Sequence, residues 1–127
     1  MERRSTQITA EDPSIPARPG WEGMHVWWLV NRAETGADKV VFVRSDFPAG
    51  KMHELHSHPN CEEVLYVLQG SGLHLGDGEP VRLEQGDVAY IRAGERHGFH
   101  NDTAEVTSLI GVYGGVGSLE EAGYETP

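Results

Sequence analysis

From residue 21 onward, apolar side chains come in short runs and alternations, each stopped by glycine, proline or a polar turn. WEGMHVWWLV at 21–30 and VVFVR at 40–44 are the first two, separated by the polar stretch NRAETGAD. Met52–His58, Val64–Leu68, Leu73–Leu75, Val81–Leu83, Val88–Ile91, Gly98–Asn101 and Val106–Tyr113 follow. Short segments rich in Val, Leu, Ile and aromatics, recurring every ~8–12 residues, predict strands. Gly76-Asp77-Gly78 is a hairpin signal. Nine such segments predict an all-β domain, a barrel or a sandwich, over 21–127. Ser118-Leu119-Glu120-Glu121 has the form of a capping box and predicts a short C-terminal helix. Residues 1–20 carry Pro13, Pro16 and Pro19 and no apolar periodicity, so an extended, partly disordered arm is expected there.

Composition narrows the possible functions. The chain has 127 residues with 16 glycines and 7 prolines, which suits many tight turns rather than a helical bundle. A net charge of −10, with Lys39 and Lys51 the only lysines, argues against a nucleic-acid surface. Cys61 is the single cysteine, so no intrachain disulfide can form and nothing asks for an oxidising compartment. The first twenty residues lack an apolar signal core, and no stretch approaches the ~18 apolar residues of a membrane span. A cytoplasmic protein with no nucleic-acid or membrane partner, and no appended helix-turn-helix, is the expectation.

Seven histidines bring in chemistry. In a strand, side chains two apart share a face, so His56 and His58 would point together. Glu63 opens the next strand across a short turn and can lie beside them. Later, His97, Phe99 and Asn101 share a face. Three imidazoles and a carboxylate suit one divalent transition metal (Fe, Mn, Ni, Cu, Co or Zn) and argue against Ca²⁺ or Mg²⁺. Glu62 is the alternative carboxylate. Glu63 is preferred for its six-residue distance to Gly70.

These residues carry a resemblance to the cupins. The first cupin motif is met by Gly50, His56, His58, Glu63 and Gly70. The second is met by Gly86, Gly94, His97 and Asn101, with Arg92 where proline is usual, a departure that touches a turn and no ligand. The resemblance implies a double-stranded β-helix, or jelly-roll barrel, often dimeric, with a metal held inside by His56, His58, Glu63 and His97. It does not imply one reaction. A metal-dependent enzyme of oxygenase or lyase type, acting on a small oxygenated organic substrate, is the first expectation. A non-catalytic binding or sensing domain is the second.

The remaining candidates are weaker. Leu65, Val67 and Phe99 are expected to wall the substrate pocket. Glu54, sharing the ligand face with Met52 by parity, is a candidate acid/base group, although a place at the barrel rim is its plainer reading. Arg92 and Arg96, in the loop before His97, are candidates for a substrate carboxylate, with solvated side chains as the alternative. His53 has opposite parity to His56 and is expected outside, as is His100. Cys61 reads as a buried thiol, Tyr66 as core packing between sheets, and Trp21, Trp27 and Trp28 as packing or dimer-interface residues. Tyr90 and Tyr113 could reach the pocket mouth, with their faces left open.

Overall fold

The computed structural model describes Ile8, Pro13 and residues 23–127. Apart from those two positions, the expected arm over 1–20, and with it Trp21, lies outside the described residues. The strands are β1 (His25–Val30), β2 (Val40–Phe47), β3 (Met52–His56), β4 (Glu62–Gln69), β5 (Ser71–Leu75), β6 (Val81–Glu84), β7 (Val88–Ile91), β8 (His97–His100) and β9 (Thr107–Gly114). Two short helices accompany them: α1 (Arg32–Thr35) and α2 (Leu119–Ala122). One sheet runs β1-β2-β9-β4-β7 and the other β3-β8-β5-β6, with every pairing antiparallel. All nine predicted strands are present, and the fold is the double-stranded β-helix that the motifs imply.

Local chemistry accounts for the joints. Ser118 Oγ accepts from Glu121 N–H at 3.1 Å, capping α2 as its sequence predicts. Helix α1 lies in the stretch read as a plain turn, started by Asn31 Oδ1 accepting from Glu34 N–H at 2.7 Å and stopped at Gly36, whose φ is 76°. Gly70 links β4 to β5 at φ 88°, and a Cβ there would meet Thr107 Oγ1 at 2.9 Å, so the last glycine of the first motif is fixed by backbone and by space.

Alternation decides what is inside. Along β4, Glu63, Leu65 and Val67 are buried while Glu62, Val64, Tyr66 and Leu68 face out. Tyr66 therefore does not pack between the sheets. Its parity away from Glu63 puts it on the outer face, 38% exposed. Leu65 and Val67 join Met24, Phe47, Phe99 and Leu109 in the main core. The rings of Phe47 and Phe99 meet edge to face at 5.3 Å, tying β2 to β8 across the two sheets. Losing such a buried ring costs about 3–5 kcal/mol.

Asn101, the last residue of the second motif, is fully buried and serves the scaffold. Its amide nitrogen reaches the carbonyls of Phe47, Pro48 and Glu105, and its Oδ1 accepts from the Thr103 amide and hydroxyl. It pins the end of β8 to the turn between β2 and β3, where Gly50 N–H donates to its carbonyl.

Candidate metal centre

His56 ends β3 and His97 begins β8, and the two are direct partners across that antiparallel pair. His58 lies in the turn after β3, and Glu63 projects inward from β4. All four are buried, between 2% and 6% exposed. One ligand atom from each of the three histidines falls within 4.8 Å of the others, so the trio could hold a metal ion. Glu63 stands beside two of them, with Oε1 at 3.0 Å from His97 Nε2 and 3.6 Å from His58 Nε2. Glu62 faces out and accepts from the Tyr90 hydroxyl, so of the two neighbouring carboxylates Glu63 is the one at the centre.

The imidazoles are oriented through their other nitrogens. His56 Nδ1 lies 2.7 Å from the Glu54 carbonyl, His58 Nδ1 2.6 Å from the Gly123 carbonyl, and His97 Nδ1 3.3 Å from the Glu95 carbonyl. A carbonyl only accepts, so each Nδ1 carries the hydrogen and donates it. In the neutral ring it is then Nε2 that carries the lone pair able to bind a metal. His58 Nε2 is buried and makes no hydrogen bond, and the buried Glu63 Oε1 faces the His97 and His58 Nε2 atoms acceptor to acceptor while those rings are neutral. Buried acceptors left in that state are costly unless something satisfies them. Nitrogen and carboxylate donors converging on one point fit a divalent transition metal.

The electrostatics agree. Burial holds the His58 imidazole below its ordinary value despite the Gly123 carbonyl and the charge of Glu63. For His97 burial also opposes the charged form, but the pull of Glu63 and Glu95 outweighs it and the ring sits above its ordinary value. A proton and a metal ion thus compete for the space between His97 and Glu63.

A cavity of about 210 Å³ opens beside the cluster. Leu65 and Phe99 line it, and Val67 lies fully buried in the core away from it. The parity assigned to β3 is reversed upstream of His56. Four residues, His53 to His56, stand against three on β8, Phe99 to His97, and this irregularity turns His53 inward and Met52 and Glu54 outward. His53 stacks on His56 at 4.0 Å, and Met52 is 49% exposed. Gly98 permits the close approach, since a Cβ there would lie 2.6 Å from the His53 carbonyl.

Glu54 is exposed, and the Tyr124 hydroxyl donates to its Oε1 at 3.0 Å while lying 3.1 Å from His53 Nε2. Arg92 lies over the Tyr90 ring near Glu95, and Arg96 pairs with Asp77 at 2.7 Å. Neither arginine lines the cavity.

Several cavity residues escaped the sequence. Trp28 lines the cavity as well as packing against the smaller core cluster, Met24 lines it too, and Tyr113 is the tyrosine of the two candidates that reaches it. Tyr124 stacks on His56 at 4.8 Å from a segment past the last strand, where no periodicity could announce it. Its neighbour Glu125 exchanges backbone hydrogen bonds with Ser57, which folds the tail over the ligand turn. His74 stacks near His97 at 6.4 Å. Cys61 is buried as expected, and burial, helped by Glu63, pushes its thiol up to about 11.

Residues 43–113 match the family model described as Cupin domain. An oxalate-binding protein of Thermotoga maritima is 31% identical over 98 residues, covering 77% of this chain and 80% of that protein. The HTH-type transcriptional activator RhaR of an Enterobacter strain is 40% identical over 74 residues, but the chain spans only 24% of its length. A solved Thermotoga maritima structure, described as a predicted oxalate decarboxylase, superposes with a TM-score of 0.68 at 26% identity, covering 91% of this chain and 100% of that one. With the family model matching just over half of the chain, around a buried three-histidine cluster, the protein belongs to the cupin family.

Proposed function

We propose that the chain is a metal-dependent enzyme acting on a small oxygenated organic molecule, by oxygenase or lyase chemistry, with one divalent transition metal held by His56, His58, His97 and Glu63. The observation that carries this reading is the set of three Nδ1–carbonyl contacts, which in neutral rings turns the Nε2 acceptors of His58 and His97 toward the buried Glu63 Oε1. Such a metal supplies a Lewis acid and, where redox-active, an electron path to bound oxygen species. The chain's own residues do the rest. The apolar walls exclude water, and the four donors are held by β3, the turn after it, β4 and β8 so that little reorganisation is needed on binding. His53 and Tyr124 line the cavity in contact with each other, which puts groups able to hold a proton beside the centre.

A binding protein without turnover is the second reading, favoured by the name of the oxalate-binding relative and by the turning of Glu54, Arg92 and Arg96 away from the cavity. Under either reading the partner is a small molecule. The match to RhaR covers too little of that protein to carry transcriptional activation here, and the acidic surface speaks against nucleic acid. Among the described residues no helix is long and apolar enough to cross a membrane. The lone buried thiol is in keeping with a cytoplasmic location, and the chain acts as a homodimer through the outer face of its larger sheet.

Metal content of the untagged protein by mass spectrometry, before and after Fe(II) or Mn(II) reconstitution, tests the centre. About one equivalent per chain is expected, and under about 0.1 equivalent after reconstitution overturns it. Oxygen uptake and product analysis across a panel of small oxo- and hydroxy-acids then separate enzyme from binder. Metal bound with no turnover favours the binder.

A further inference from the structure

We propose that the cavity takes a molecule with one singly charged oxygen-bearing head and an apolar body about the size of a six-membered ring, such as an aryl oxo-acid or an acidic enol, rather than a small dianion such as oxalate. The inference rests on the metal-centre reading above and deepens it by naming the ligand class. Size, wall chemistry and charge each support it.

A dry cavity of about 150 Å³ holds benzene, so about 210 Å³ holds one ring together with a head of a few atoms. Away from the histidines the walls are Val26, Trp28, Val43, Phe47, Phe99 and Leu109, drawn from both sheets. Gly111 forms part of the floor, and its missing side chain keeps open the path from Glu63 Oε2, 3.5 Å from where a Cβ would stand, toward Val43. A ligand no larger than its own metal-binding head leaves these walls facing water, whereas a ring buries apolar surface on both sides.

The charge balance points the same way. A divalent ion among three neutral imidazoles and one carboxylate leaves a single positive charge, which one anionic group on the ligand neutralises. A second anionic group would need a cation. None of the described lysines or arginines lines the cavity. Arg32, Arg44, Arg82, Arg92 and Arg96 are each engaged by acidic side chains elsewhere. An uncompensated charge in a low-dielectric pocket is strongly disfavoured.

The test is isothermal titration of the Mn(II)-loaded full chain with benzoylformate, pyruvate and oxalate, with metal content measured on the same samples. The first two share an oxo-acid head and differ in body, and the third adds a charge. Benzoylformate is expected to bind at least about tenfold more tightly than pyruvate, and oxalate no more tightly than pyruvate. A Ser45→Lys variant, placing a cation on the cavity wall, should raise the affinity for oxalate relative to benzoylformate. Leu109→Ala, which removes wall and a core contact together, should weaken benzoylformate and leave pyruvate within about twofold in protein whose circular dichroism and Mn(II) content match the parent chain. Oxalate binding as tightly as benzoylformate, no gain from the ring, or no binding of any probe to metal-loaded protein overturns the inference while leaving the metal centre standing. Failure to retain Mn(II) sinks the metal reading itself and this inference with it.

Discussion

Each imidazole at the centre has one nitrogen committed to a backbone carbonyl, so removing one ring leaves the other two aimed at the same point but short of a donor. His97→Ala should therefore cost metal as surely as His56→Ala, with affinity down by at least about a hundredfold and the fold retained. Metal titration with circular dichroism on the same samples checks this, and full occupancy in His97→Ala would remove His97 from the ligand set. Cys61 gives a second residue-level prediction. With its thiol at about 11, raised by burial and by Glu63, the thiolate fraction near pH 8 is only about 0.1%. Iodoacetamide should label the native chain far more slowly than the urea-unfolded one, and equal rates would show that the thiol is exposed. The ligand residues were legible through the two motifs, and the strand argument held only in part. Strand β3 ends at His56 and His58 follows it in the turn, yet both rings reach the same point, and Glu63 takes an inward position at the start of β4. His53 and Tyr124 were not legible. One depends on a register irregularity and the other on a tail whose docking is tertiary.

Strand β3 shows where alternation stops being a guide. Two-residue periodicity holds only while the ladder is regular, and between His53 and His56 it is not. The positions expected on the ligand face, Met52 and Glu54, turn outward, and His53 takes the inner place. The C-terminal segment is the other element that the sequence left half read, since its cap at Ser118 was plain but its target was hidden. From α2 onward it holds the ligand turn: Asn60 donates its backbone N–H to the Ala122 carbonyl and its Nδ2–H to the Glu121 carbonyl, His58 Nδ1–H donates to the Gly123 carbonyl, and Glu125 pairs with Ser57. Deleting residues 124–127 should leave the barrel folded but unpin the Gly123 carbonyl, lowering metal affinity by about 10–100-fold, as the loss of an orienting partner does. Tyr124→Phe should leave metal affinity unchanged, since the ring can still stack on His56 and only the hydroxyl contacts to His53 and Glu54 are lost. Isothermal titration with the same metal on both variants checks the pair. Equal affinity of the truncated and full chains would show that the tail does not orient His58.

At the scale of the whole molecule, the two faces of the larger sheet differ in what covers them. Its inner face packs on the smaller sheet and the cavity. On its outer face Val64, Tyr66 and Leu68 of β4 and Val88 and Tyr90 of β7 are between 38% and 56% exposed. Register makes them one patch, because Val64 stands opposite Tyr90 on β7 and Val112 on β9, while Tyr66 stands opposite Val88 and Ile110. Neighbouring outward apolar residues on paired strands form a contiguous surface, and a large one marks an interface. A patch that buries itself against a second copy about a two-fold axis is the simplest closed arrangement, and tyrosines suit such contacts. The chain should then run at twice its 14.0 kDa mass in sedimentation equilibrium. Tyr66→Glu puts a like charge at the same place on both copies and should shift the particle to the single-chain mass, with its metal content unchanged because Glu63 and the histidines lie on the other side of the sheet. A wild-type chain that sediments as a monomer at tens of micromolar, or a Tyr66→Glu variant that stays dimeric, would show that this face is not where two copies meet.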